Sequence, residues 1–275
     1  MKFRHILIAG HMALVASLCI AAADDFRATG PVPALTEEER ELIGKAVCGE
    51  GDYENKDSGV RCFDCPKFTG RAGSNEGLEI SHLIRGRFTG KQTEELLLDL
   101  DGCEAHSSSY GGALLLVSAT DTPSYKQVYY KPGFRLNDRL KLDAGKEGNV
   151  LVCNESDIAQ GEVFGQVSLV EVSDKEISRK RLFRWYDNRA AGGPRVVHAV
   201  PEKIEVISPP KKEPARVQVT LRTREISRAA LDKGEPGAEK VESLLFEQKG
   251  KQLAADKKTQ QILARIDALI HAGSK

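Results

Sequence analysis

From Glu79 to Tyr186 the chain is a succession of short runs rich in β-branched, aromatic and leucine residues, broken by turn residues at intervals of roughly 8 to 14 positions. The runs are Glu79–Phe88, Leu96–Leu100, Ala113–Ser118, Lys126–Tyr130, Arg139–Leu142, Val150–Cys153, Glu162–Val172 and Arg181–Tyr186. Asp101-Gly102, Gly111-Gly112, Pro132-Gly133 and the Gly145 to Gly148 segment supply the turns, because these residue types tolerate the backbone angles that reversals need. Parallel strands require crossovers of about a dozen residues, usually helical, and no helical periodicity intervenes here. The spacing therefore predicts a mainly β fold of antiparallel meander sheets, arranged as partial propeller-like blades, a sandwich or a barrel. Ile204 and Val206, then Val217, Val219 and Leu221, alternate with polar residues and extend the β region, with Pro209–Pro214 as an exposed hairpin loop.

Different textures flank this region. Thr36 precedes Glu37-Glu-Glu39, and a threonine N-cap with glutamate at the third helical position predicts a capping box and a short N-terminal helix to about Val47. From Gly49 to Gly77 the composition turns to Gly, Asp, Asn and Ser with clustered cysteines, which reads as an irregular, cross-linked loop. Gly234-Glu-Pro-Gly237 reads as the end of the β region and the start of a helix, since proline is tolerated in a first helical turn. Val241, Leu244 and Leu245, then Ile262, Leu263, Ile266, Leu269 and Ile270, stand at helical spacing and predict a C-terminal amphipathic helix interrupted near Gly250. The expected division is 1–23, 24–77, 78–230 and 231–275.

Lys2 and Arg4 precede an apolar run from Ile6 to Ile20 and the small residues Ala21-Ala-Ala23, the layout of a secretory signal peptide. The run is shorter than the roughly 20 residues of a membrane span, and His11 interrupts it. The expectation is a secreted or periplasmic protein that is not integral to the membrane. Cys19 falls within the leader, so five of the six cysteines remain: Cys48, Cys62, Cys65, Cys103 and Cys153. In an oxidising compartment they are disulfide candidates with one left over, in a connectivity the sequence leaves open. Cys48, Cys62 and Cys65 also resemble three zinc ligands awaiting His82 or His106, but a second closely spaced pair is missing. The full chain carries 40 basic and 40 acidic residues, and a neutral chain lacks the cationic surplus that nucleic-acid binding needs.

Gly86-Arg-Phe-Thr-Gly90, Glu94-Glu-Leu-Leu-Leu-Asp-Leu-Asp-Gly102 and Gly111-Gly-Ala-Leu-Leu-Leu116 together resemble one blade of the FG-GAP or VCBS-like repeat propellers. A weaker unit follows over Leu140 to Tyr186, with Asn149-Val-Leu-Val-Cys153 in the equivalent strand, and Val196 to Thr223 resembles part of a third. The resemblance implies a secreted propeller-type protein whose blades often bind calcium through a loop of alternating aspartates. Here Thr89 to Thr93 offers no carboxylate and includes Lys91. The alternating Asp99, Asp101 and Glu104 are the remaining metal candidates, too few for the six to eight oxygens that Ca2+ takes. No cofactor is expected.

Signatures of catalysis are absent: there is no His-Glu-x-x-His, Gly-x-Ser-x-Gly or dinucleotide fingerprint. Gly86 to Lys91 is one residue too short for a phosphate loop, and Gln92 stands where a hydroxyl must reach magnesium. His106 with Ser107-Ser-Ser109 reads as a solvated turn. Lys180, Arg184, Trp185 and Tyr186 form a basic and aromatic stretch that is the candidate ligand-binding face, with one ring expected in the core and the other on the surface. The functional expectation is a non-catalytic interaction module for a protein or a glycan. A small hydrolase acting on carbohydrate, with Asp99, Asp101 or Glu104 paired to a carboxylate elsewhere in the chain, is the alternative.

Overall fold

The computed structural model describes residues 35–56, 59–71, 77–103, 111–119, 122–136, 139–207 and 214–273. The expected leader at 1–23, Glu104, the expected turn at His106 to Ser109 and most of the expected Pro209–Pro214 loop lie outside them.

Helix α1 (Glu37–Val47) begins with the expected capping box: Thr36 Oγ1 accepts the Glu39 N–H at 3.1 Å, and the Glu39 carboxylate accepts the Thr36 N–H at 3.0 Å. Strands β1 (Tyr53–Lys56), β2 (Gly59–Cys62), β3 (Leu78–Gly86), β4 (Glu95–Gly102), β5 (Gly112–Ser118) and β6 (Tyr125–Lys131) form a six-stranded sheet in chain order. Strands β7 (Arg139–Asp143), β8 (Asn149–Ala159), β9 (Glu162–Val172), β10 (Ile177–Asp187), β11 (Arg195–Ile207), β12 (Arg216–Ser227), β13 (Ala238–Lys249) and β14 (Gln252–Ala255) form an eight-stranded one, also in chain order. Short helix α2 (Arg228–Asp232) joins β12 to β13, and α3 (Lys257–Gly273) follows β14. Every pairing is antiparallel, so the fold is two successive meanders, as the absence of helical crossovers predicted.

The layers run α1, first sheet, second sheet, α3. Leu97, Ala113 and Leu115 of the first sheet meet Leu151, Cys153, Val170 and Val172 of the second. The intervening Leu96, Leu98, Leu114 and Leu116 point the other way, onto Ile43 and Val47 of α1. Val150, Val152, Val167 and Leu169 point away from the first sheet, into a core that includes Ile262, Ile266 and Ile270 of α3. Strands buried on both faces read as unbroken apolar runs, which explains Leu96-Leu-Leu98 and Val150-Leu-Val-Cys153. The second sheet curls until β7 approaches β11.

Two stretches differ from the sequence reading. Residues 238–249 are strand β13 and not the opening of a helix, so the 231–275 segment holds a β-hairpin before its helix. Leu244, Phe246 and Gln248 alternate into the core, and pairing with β12 from Arg216↔Glu247 to Glu225↔Ala238 decides between two patterns that Val241, Leu244 and Leu245 satisfy equally. The 49–77 segment contains the β1–β2 hairpin, which α1 supports: Gly44 lies so close to Tyr53 that a β-carbon there would stand 2.5 Å from the ring. Disulfides join Cys48 to Cys62 and Cys65 to Cys103, tying α1, β2 and the end of β4 together. Cys153 is free and buried.

Candidate functional site

Beyond Cys153 the β8–β9 hairpin outruns β7 and carries polar residues into solvent. Its register sets Glu155 opposite Gln166, Ser156 opposite Gly165 and Asp157 opposite Phe164. Together with Arg179 and Arg184 of β10 these residues line an open cleft of about 260 Å3. That volume lies below the roughly 300–1,000 Å3 of pockets for drug-sized ligands, so it suits one small group or the end of a longer chain.

Gly165 and the chain's one tryptophan fit the cleft to the core. Trp185 pairs across the strands with Gly165, where any side chain would overlap the indole, and its Nε1–H donates to Asn154 Oδ1 at 2.7 Å. Tyr186 pairs with Phe164, the ring centroids 5.1 Å apart, and its hydroxyl donates to Glu162 at 2.7 Å. Burial, then the bond to Glu162, pushes the phenol up to about 12. Phe164 itself remains 41% exposed at the rim.

The polar groups divide into satisfied and free. Glu155 Oε1 forms an ion pair with Arg179 at 2.6 Å, out of line for a hydrogen bond, and Oε2 accepts the Gln166 amide at 3.2 Å. Burial raises its proton affinity above the ordinary carboxylate range, against the opposing effects of Arg179 and Gln166. Arg179 is further held by the Arg135 carbonyl and by the Phe134 ring beneath it, 4.3 Å from the centroid. Among the described residues Arg184 reaches only the exposed Asp267 of α3, at 3.6 Å. Asp157 is exposed and makes no hydrogen bond or ion pair among the described residues. The cleft thus presents a carboxylate, a loosely held guanidinium and an aromatic face.

Of the residues singled out in the sequence, Arg184 lines this cleft and Lys180 is exposed on the same strand. Trp185 and Tyr186 are 7% and 0% exposed, so both rings belong to the core, contrary to the expected division between core and surface. The reason is local: Trp185 seats over Gly165 and bonds Asn154, while Tyr186 lies where β11 pairs with β10, opposite Ala199. Asp99 is buried between the sheets, where both its oxygens lie 3.3 Å from the Leu136 N–H and one lies 3.5 Å from His82 Nδ1. Asp101 is exposed, so the two carboxylates do not converge. No group of three or more potential metal ligands is present among the described residues. Four of the five cysteine candidates are paired as disulfides, and burial raises the thiol pKa of Cys153, which keeps it protonated and unreactive.

A second polar cluster joins Asp187 and His198, Oδ2 to Nδ1 at 3.2 Å. Burial alone would raise the Asp187 carboxyl, but hydrogen bonds from Arg189 and the nearby positive charge hold it below its usual range. Burial and then Arg189 lower His198. Arg228 donates to the carbonyls of Asn188, Arg189, Ala191 and Gly193, so this cluster fastens the β10–β11 loop. No helix among the described residues is long and apolar enough to cross a membrane. No family model, curated protein or solved structure matches the chain.

Proposed function

We propose that this chain is a secreted or periplasmic binding module without catalytic activity of its own, and that the β8–β10 cleft holds one or two residues of a glycan. The carrying observation is the division within the cleft: Arg179 and Gln166 close on Glu155, while Asp157 and the Phe164 face are left for a ligand. A sugar offers matching chemistry, with hydroxyls for the carboxylate and guanidinium and an apolar C–H face for the ring. Two disulfides support an oxidising compartment, because cytosolic thiols are kept reduced.

Carbohydrate hydrolysis is the second reading. Glu155 and Asp157 stand two residues apart on one face of β8, about 6.6 Å at the strand rise, and Glu155 has the raised proton affinity of a general acid. Against it, Glu155 Oε1 is buried against Arg179 and Oε2 accepts from Gln166, and a general acid needs an oxygen turned toward the leaving group. Capture on a panel of immobilised glycans, with reducing ends assayed in parallel, separates the readings. The binding reading expects capture of a subset, at least about tenfold weaker for Phe164→Ala and Asp157→Asn, and no released ends. Product that disappears in Glu155→Gln establishes the hydrolase, and neither capture nor released ends on any glycan removes both.

A further inference from the structure

Strand β13 has β12 along its whole length on one side, but β14 covers its other side only from Phe246 to Lys249. Leu245 is also occupied there: its N–H donates to Thr259 Oγ1 at 2.7 Å and its carbonyl accepts the Asp256 N–H at 3.2 Å. Ala238 to Leu244 therefore has no strand beside it among the described residues. An antiparallel strand turns every second residue's N–H and C=O away from its one partner, so this stretch is a template for another strand.

We infer that the open edge of β13 pairs with the same edge of a second copy, joining two eight-stranded sheets across a twofold axis at Val241. Three observations select this occupant. The free window is Ala238 to Leu244, and its midpoint is Val241, so a twofold axis there fills the window and places each β14 beyond the end of the other chain's pairing. Val241 is 55% exposed, one of the few large apolar side chains so exposed, and the axis stacks it on its own copy. In this register Lys240 faces Glu242 of the second copy and Glu242 faces its Lys240, so the charges flanking the axis are self-complementary. Glu242 already holds Arg265 of α3 in its own chain, which fixes the carboxylate in place for a second cation.

The test is the mass of the whole protein by sedimentation and light scattering over a concentration series. The wild type is expected to dimerise reversibly. Val241→Lys, which brings two like charges together at the axis on an exposed position, is expected to weaken dimerisation at least about tenfold while the thermal midpoint measured on monomer stays unchanged. Lys240→Glu is expected to weaken the dimer, and the exchange Lys240→Glu with Glu242→Lys to restore it. A wild type that remains monomeric at every concentration overturns the inference, as does a dimer that Val241→Lys leaves intact.

Discussion

Replacing Gly165 with alanine adds a single methyl group, yet it should unseat the only tryptophan in the chain. A β-carbon there falls 2.5 Å from Trp185 Cδ2 and nearer still to two other indole atoms, and the contact is with a rigid ring whose position its own bond to Asn154 fixes. The indole must leave. A buried tryptophan is worth about 3–5 kcal/mol relative to alanine, and its hydrogen bond about 1 kcal/mol. Alanine in a strand recovers roughly 0.5–1 kcal/mol over glycine, so the expected net loss is about 3–5 kcal/mol. Urea denaturation followed by circular dichroism measures it, and the fluorescence of Trp185 supplies an independent readout: red-shifted emission and easier quenching by acrylamide. In a Trp185→Ala background the same Gly165→Ala change should be neutral or slightly stabilising, a coupling of at least about 2 kcal/mol in the double-mutant cycle. Additive effects of the two changes, or unshifted emission in Gly165→Ala, would refute the account of how this cleft is built.

Three further predictions rest on other parts of the fold. Removing the Cys65–Cys103 bridge, with its separation of 38 residues, should cost about 4 kcal/mol in the chain-entropy picture and removing Cys48–Cys62, with 14, about 3 kcal/mol; peptide mapping of unreduced protein should recover these two pairings and a free Cys153. His198 is held below its ordinary value of 6.5, so the unfolded chain takes up a proton that the folded chain resists. Stability should then fall as pH drops through about 6.5, and His198→Gln should flatten that part of the urea-midpoint profile. Calcium and chelator should give the same thermal midpoint, because Asp99 is committed between the sheets and Asp101 stands apart in solvent.

The meander was legible because turn residues and buried apolar runs are local features. Leu96–Leu100 and Val150–Cys153 announce strands covered on both faces, and Thr36 with Glu39 announces the start of α1. Residues 238–249 were not legible, since leucines at 244 and 245 suit either period and only β12 decides. The β1–β2 hairpin was hidden because its support comes from packing on α1 and from a disulfide, neither of which leaves a strand pattern in its own four-residue runs. Of the cleft, Arg184 was named from the sequence, whereas Glu155, Asp157, Phe164 and Gln166 resemble the ordinary outward residues of a solvated hairpin. The available signal was Gly165 inside an otherwise continuous strand pattern, which marks a close approach by another group.

The central claim is that the β8–β10 cleft is the ligand site. The most direct measurement is amide and side-chain chemical-shift mapping of the intact protein during titration with the glycan that it captures. The account predicts saturable shifts centred on Ser156, Asp157, Phe164, Gln166 and the Arg184 side chain, with the Trp185 indole N–H moving in step because it packs on Gly165. Saturable shifts gathered instead around the open groove of about 660 Å3 beside Cys48, Cys65 and Phe68, with the β8–β9 hairpin unmoved, would contradict it.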